Sequence, residues 1–157
     1  MLVAVAKMRW IAALLVVSIM LMLCGCHASG VLAVANVLGL WYTTDAATLE
    51  AAATGGTLVF LAINITFTGA VCTFVGDIDT DGNGTPDQQV ELQGAWQQNG
   101  ENVTATLTLA DASSATLGAP QAELDLALAG INLLQGSLAY TLGGLTYIGQ
   151  LSLHRCS

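Results

Sequence analysis

Residues 79–87 read DTDGNGTPD, which sets oxygen-bearing side chains at alternate positions: Asp79, Asp81, Asn83 and Thr85, with Asp87 closing the stretch. A hard cation such as Ca²⁺ wants six to eight oxygens, and alternate residues of a turning chain can direct carboxylates and amides inward. Gly84 permits the sharp turn between them, Thr85 can offer its backbone carbonyl, and Asp87 can reach the ion directly or through water. Asp77 and Glu91 flank the stretch, so that Asp77, Asp79, Asp81, Asp87 and Glu91 place five of the 11 acidic residues within fifteen positions. Without a cation their mutual repulsion would oppose a closed loop. The competing reading is a bare turn, because Asp81-Gly82 and Asn83-Gly84 are both hairpin-turn dipeptides.

Asp79, Asp81, Asn83 and Gly84 match the first six positions of the EF-hand calcium loop, but Val90 stands where that loop needs a bidentate Glu. The stretch more closely resembles the loops of thrombospondin type-3 calcium repeats. That resemblance implies a Ca²⁺ site built from Asp77, Asp79, Asp81, Asn83, Thr85 and Asp87. The motif stands once rather than in tandem, so Asp77 or Glu91 must replace ligands that a neighbouring repeat would lend.

Other chemistry finds few residues. Beyond the first 26 positions the histidines are His27 and His154, the latter on the alternate face of the last apolar segment. Neither has an evident nucleophile to serve, and the two do not complete a zinc set. Glu123 and Asp125 share a strand face of the kind that water normally covers. The expectation is a protein that is not an enzyme.

The first residues concern location. Lys7 and Arg9 precede an uncharged run from Trp10 to Leu23, fourteen residues long, which suits a signal-peptide core and falls short of the ~20 that span a bilayer. Leu23-Cys24-Gly25-Cys26 then resembles the bacterial lipobox, with Cys26 as the cysteine that receives diacylglycerol. The resemblance implies removal of residues 1–25, a lipidated tether over 26–35, one domain over 36–157, and a membrane partner reached through the lipid. His27 after Cys26 resembles lipoproteins sorted to an outer membrane, where the cell has one.

Once the signal is removed, Arg155 faces all 11 carboxylates, a net charge of −10. Such a chain cannot neutralise phosphates, which excludes nucleic acid and electrostatic attachment to anionic lipid. Cys72 and Cys156 remain as a thiol pair, and outside the cytoplasm a disulfide is expected. It would close a long loop worth about 4–5 kcal/mol in the chain-entropy view.

The mature chain reads as strands broken by Gly, Asn and Asp. One exception is a short alanine-rich run near residues 46–53, which Asp45 is placed to cap as a helix and Gly55 to stop; a wide connection fits as well. From Thr57 the period is two, with Val59, Leu61, Ile63, Ile65 and Phe67 expected on one face. Val71–Val75 resumes extended structure. Val90, Leu92, Gly94 and Trp96 alternate next, Asn99-Gly100 turns the chain, and Val103 to Leu109 return. Leu124, Leu126 and Leu128 follow; Gly130 to Gly136 is expected to redirect the chain, and Gly143-Gly144 to form a two-residue turn.

Successive hairpins predict an all-β antiparallel meander of seven to nine strands, closed as a small barrel or folded as a sandwich. Gly39-Leu40-Trp41 resembles the GxW of the first strand of lipocalin-type barrels, and Gly94-Ala95-Trp96 repeats the form. Two functions follow as expectations. One is a lipid-anchored envelope module, binding or structural, carrying a calcium loop. The other is a lipocalin-like carrier of a small apolar ligand, in which the acidic stretch serves only as a hairpin turn. A protein partner is left unspecified.

Overall fold

The computed structural model describes residues 36–110 and 119–156. Among them every regular element is a strand: β1 (Gly39–Thr43), β2 (Ala47–Ala51), β3 (Thr57–Thr68), β4 (Val71–Asp79), β5 (Gln88–Asn99), β6 (Asn102–Leu109), β7 (Gln121–Gly130), β8 (Leu133–Leu142) and β9 (Leu145–Arg155). From β3 to β9 each strand pairs antiparallel with the next. Both β1 and β2 lie between β3 and β9, pairing with each, and so close the sheet on itself. They are two halves of one interrupted strand, so the wall has eight positions. A closed barrel, not a sandwich, is the outcome, and closure removes the unpaired edges that an open sheet would expose.

The wall sorts its side chains by the period of two. Val103, Ala105 and Leu107 of β6 and Ala122, Leu124 and Leu126 of β7 are buried inside, while Thr104, Thr106, Glu123 and Asp125 face out. That is the reverse of a barrel that spans a membrane, where the lipid-facing band is apolar. Aromatic rings occupy the interior. Phe60 of β3 meets Phe74 of β4 edge-on at 5.8 Å and Tyr140 of β8, a strand with which β3 shares no ladder, at 5.2 Å. Gly76 makes room for this, since a Cβ there would stand 2.6 Å from the Phe60 ring.

Three expectations are corrected. The segment expected as a helix over 46–53 is strand β2: Ala47, Leu49 and Ala51 are buried and alternate with exposed Thr48 and Glu50. Alanine's helix preference is worth a few tenths of a kcal/mol per residue, less than the cross-strand ladders to β3 and β9 that close the wall here. In β3 the register shifts between Phe60 and Ala62, so the inward set is Leu58 and Phe60 and then Ile63, Ile65 and Phe67. Val59 and Leu61, expected on the face of Ile63, stand only partly covered because this bulge reverses the parity. Lastly, the chain turns at Ile131–Asn132, and Gly136 lies inside β8.

The two ends of the barrel differ. One, the terminal end, carries the start of β1, the end of β9 and the turns at Gly69–Ala70, Gly100–Glu101 and Ile131–Asn132. The opposite, loop end carries the turn at 52–56, the acidic stretch and the Gly143–Gly144 turn, whose residues have φ of +60° and +82°.

Candidate metal centre

The acidic stretch joins β4 to β5 at the loop end, and its alternate spacing becomes a series of side chains folded over the following backbone. Asp79, the last residue of β4, turns into its own loop. Its Oδ1 accepts from the N–H of Asp81 (3.2 Å) and Gly82 (2.7 Å), and its Oδ2 from the N–H of Gly84 (2.8 Å). Asp81 then accepts from the Asn83 N–H (3.1 Å) and side-chain amide (2.8 Å). Asn83 Oδ1 in turn accepts from the N–H of Thr85 at 2.7 Å and from its hydroxyl. Each step is a local Asx turn. Gly82 and Gly84, at φ of +75° and +81°, supply the left-handed backbone between them.

The base of the loop is tied by Thr80 and Asp87. The Asp87 Oδ2 accepts from the Thr80 N–H at 2.8 Å and hydroxyl at 2.7 Å, and the Asp87 N–H donates to the Ile78 carbonyl at 2.8 Å. Asp79, Asp81 and Asp87 thereby each bring a carboxylate oxygen within 4.8 Å of the others. These three could hold a metal ion, and hard oxygen donors of this kind suit Ca²⁺ or Mg²⁺ rather than softer metals.

Asp77 does not join them. It lies on the wall of β4 opposite Gln89, whose side-chain amide donates to its Oδ1 at 2.8 Å. The ladder fixes it there, two residues before the chain turns. Glu91 lies further along the wall, opposite Val75. Asn83 and Thr85 are in the loop, with the Asn83 carbonyl oxygen engaged by Thr85.

Electrostatically the site is one-sided. Asp79 is the buried charged residue among those described, at 6% exposure. The Gly84 N–H above all, helped by those of Gly82 and Asp81, holds its carboxyl below the ordinary carboxylate range, against an opposing effect of burial. Asp87, though exposed, is likewise lowered, chiefly by the Thr80 hydroxyl and then the Thr80 N–H, with some desolvation and the negative Asp79 pushing the other way. The cationic side chain among the described residues, Arg155, is at the end of β9, on the terminal end. Countercharge at the loop therefore comes from backbone N–H groups or from a bound cation.

The disulfide expectation is corrected: Cys72 and Cys156 are both free thiols. Cys72 points into the barrel from β4, and burial pushes its thiol up to about 12. Cys156 is exposed just beyond β9, its N–H bonded to the Leu40 carbonyl. Between β4 and β9 stand β3 and β1, about three strand spacings or ~14 Å along the wall, too far for a bond that needs Cα atoms within ~7 Å. Cys26, the signal segment and the tether lie outside the described residues. His154 is half-buried on β9, its ring 6.4 Å from that of Tyr42.

Residues that sequence reasoning passed over are Thr80, which fixes Asp87, and Gln89, which withdraws Asp77. Neither carries a pattern that distinguishes it from any polar residue near a turn. Comparison of the chain with protein-family models, curated proteins and solved structures returned no match.

Proposed function

We propose that the protein is a lipid-anchored module of the cell envelope whose barrel is stiffened at one end by a Ca²⁺ ion held at Asp79, Asp81 and Asp87. The observation that carries the metal is the convergence of three carboxylates within 4.8 Å at the end opposite Arg155. Asp79 and Asp87 bracket the loop, so an ion bridging them would clamp the ends of β4 and β5 together. Its role is structural, the carboxylates being arranged around one another at the base of the loop. Anchoring through Cys26 rests on the signal-like segment and the lipobox resemblance.

The carrier reading is disfavoured by the Phe60, Phe74 and Tyr140 rings, which meet in the space that a ligand would need.

Thermal unfolding in Ca²⁺, Mg²⁺ and chelator tests the metal. Calcium at a hundredfold excess over its dissociation constant should stabilise by about 2.7 kcal/mol. Magnesium should do much less, since a flexible loop does not impose its tight octahedron. Asp81→Ala and Asp87→Ala should abolish the calcium response and Asp111→Ala should retain it. A melting temperature indifferent to millimolar calcium and to chelator overturns the metal. Metabolic acyl labelling lost in Cys26→Ala tests the anchor, and unchanged labelling overturns it.

A further inference from the structure

Large apolar side chains on the outside of this barrel are concentrated at the terminal end. Among the described residues seven are exposed, and five of them, Leu38, Leu40, Tyr42, Val71 and Ile131, belong to that end. The register sets Leu40 and Tyr42 on one face of β1 and Val71 on β4, with Thr66 and Thr68 of β3 between them. Leu40 pairs with Thr66, which pairs with Thr73; Val71 pairs with Thr68; Tyr42 pairs with Asn64 on one side and His154 on the other. Ile131, 74% exposed, sits at the tip of the β7–β8 turn on the same rim. Among the described residues of the patch itself there is no carboxylate. Among the described residues the charges at this end are Arg155 and, on the β5–β6 turn, Glu101, whereas Glu50, Asp77, Asp79, Asp81 and Asp87 cluster at the loop end.

We infer that this patch rests on the lipid bilayer, so that the barrel stands with its terminal end in the headgroups and its acidic loop pointing away. The inference deepens the anchoring reading above and rests on it. Three observations choose a bilayer as the occupant. First, the described chain begins at this rim, at Asn36, ten residues from Cys26, so the tether joins the barrel at this end. Second, the side chains are ordered by depth: Leu38, Leu40, Val71 and Ile131 lie nearest the rim, and Tyr42, amphipathic and suited to the headgroup level, lies further up the wall. Third, the main cluster of negative charge is kept away from the contact, Glu101 being the carboxylate described on this rim. From Val71 to Asp79 is the full length of β4, about 20 Å of height once the strand tilt is allowed for, more than the ~8 Å over which salt screens the loop from anionic lipid.

The full-length protein, expressed with its signal segment and reconstituted in phosphatidylethanolamine–phosphatidylglycerol vesicles, tests this through its own Cys156. That thiol is exposed at the patch, while Cys72 is buried. It is labelled with an environment-sensitive fluorophore, its attachment verified by mass spectrometry, and challenged with headgroup-region nitroxide lipid. A second sample carries the label at the loop end, on Asn83→Cys in a Cys156→Ser background. Flotation of the vesicles reports the anchor independently. Quenching several-fold stronger at Cys156 than at position 83, lost in Leu40→Glu while flotation persists, is the expected result. Equal or absent quenching in protein that floats overturns the orientation and leaves the anchor standing. Protein that does not float overturns the anchor reading and the orientation with it.

Discussion

The guanidinium of Arg155 lies 4.9 Å from the centroid of the Trp41 ring and donates to the carbonyls of Asn36 and Leu38, the latter at 3.1 Å. The Trp41 indole N–H reaches the Val37 carbonyl at 2.7 Å, so one cation and one ring together fasten the chain that enters β1 to the end of β9. Barrel closure depends on this seam, because β1 and β9 are the first and last strands among the described residues. Arg155→Ala should lower stability by about 1–2 kcal/mol, from the cation–π contact and the freed carbonyls. Lysine should recover only part of it, lacking the planar fork. Urea unfolding midpoints of the three proteins check this.

The acidic loop should make stability fall in acid. Asp79 and Asp87 have folded pKa values held below the ordinary one, so the folded chain binds fewer protons than the unfolded chain. Their stabilisation is complete above the unfolded value near 4 and disappears as pH falls through the folded values. Asp79→Asn should flatten the acid limb of a pH–melting curve, measured in chelator so that calcium does not contribute. An unchanged acid limb would mean that Asp79 is not the group responsible.

Asp79 and Asp81 should separate structure from metal binding. Asp79 receives three backbone N–H groups, and Asp79→Ala strands them whether or not an ion is present, so it should destabilise in chelator as well as in calcium. Asp81 accepts only from Asn83 and is exposed. Asp81→Ala should therefore be nearly neutral in chelator and lose only the calcium increment. Thermal unfolding of both variants in both conditions is the measurement.

The sequence announced the meander through its period of two and its turn dipeptides, and Gly143-Gly144 turns as its composition demands. It could not announce the parity change at Leu61, because a bulge adds one residue without altering the apolar composition around it, and Val59, Phe60 and Leu61 are all apolar. Nor could it announce β2, where the alternation of Ala47, Leu49 and Ala51 is muted by alanine standing on both faces of the surrounding run. At the candidate site the alternate oxygens were legible. That Asp77 belongs to the wall depends on its rung opposite Gln89, a relationship across the sheet that no local spacing encodes.

Thiol chemistry should sort the two cysteines by exposure. In the native protein Cys156 should react with maleimide quickly, and Cys72, whose thiol is buried and pushed up to about 12, only after denaturant is added. Peptide maps with and without reductant should be identical. A linked pair in the non-reduced map would require β4 and β9 to approach far more closely than the barrel wall allows.

At two glycines the backbone of the neighbouring strand leaves no room for a side chain. A Cβ at Gly94 would lie 1.9 Å from the Thr106 carbonyl oxygen, and one at Gly136 would lie 2.1 Å from that of Asp125. Both atoms belong to the backbone of the neighbouring strand and cannot step aside without breaking a ladder. Gly94→Ala and Gly136→Ala should each cost more than about 3 kcal/mol or prevent folding. Gly100→Ala, in open space at φ +63°, should cost only about 1 kcal/mol. Expression level and urea midpoint distinguish the two classes.

The interior of the barrel is filled by aromatic rings. Phe60 is fully buried, its ring packed against Phe74 and reaching across to Tyr140, so Phe60→Ala removes the bridge between two sides of the wall. The loss should be about 3–5 kcal/mol, set by the transfer of the ring and by the void that a closed ladder cannot collapse to fill. Gly76 enlarges that void, because it has no side chain to lean into the space. An apolar cavity of this kind stays dry and accepts a ring-sized ligand. Benzene should therefore raise the melting temperature of Phe60→Ala and leave the wild type unmoved. A wild-type protein that retains an apolar ligand through native mass spectrometry would reverse the argument, since it would require space that Phe60 now occupies.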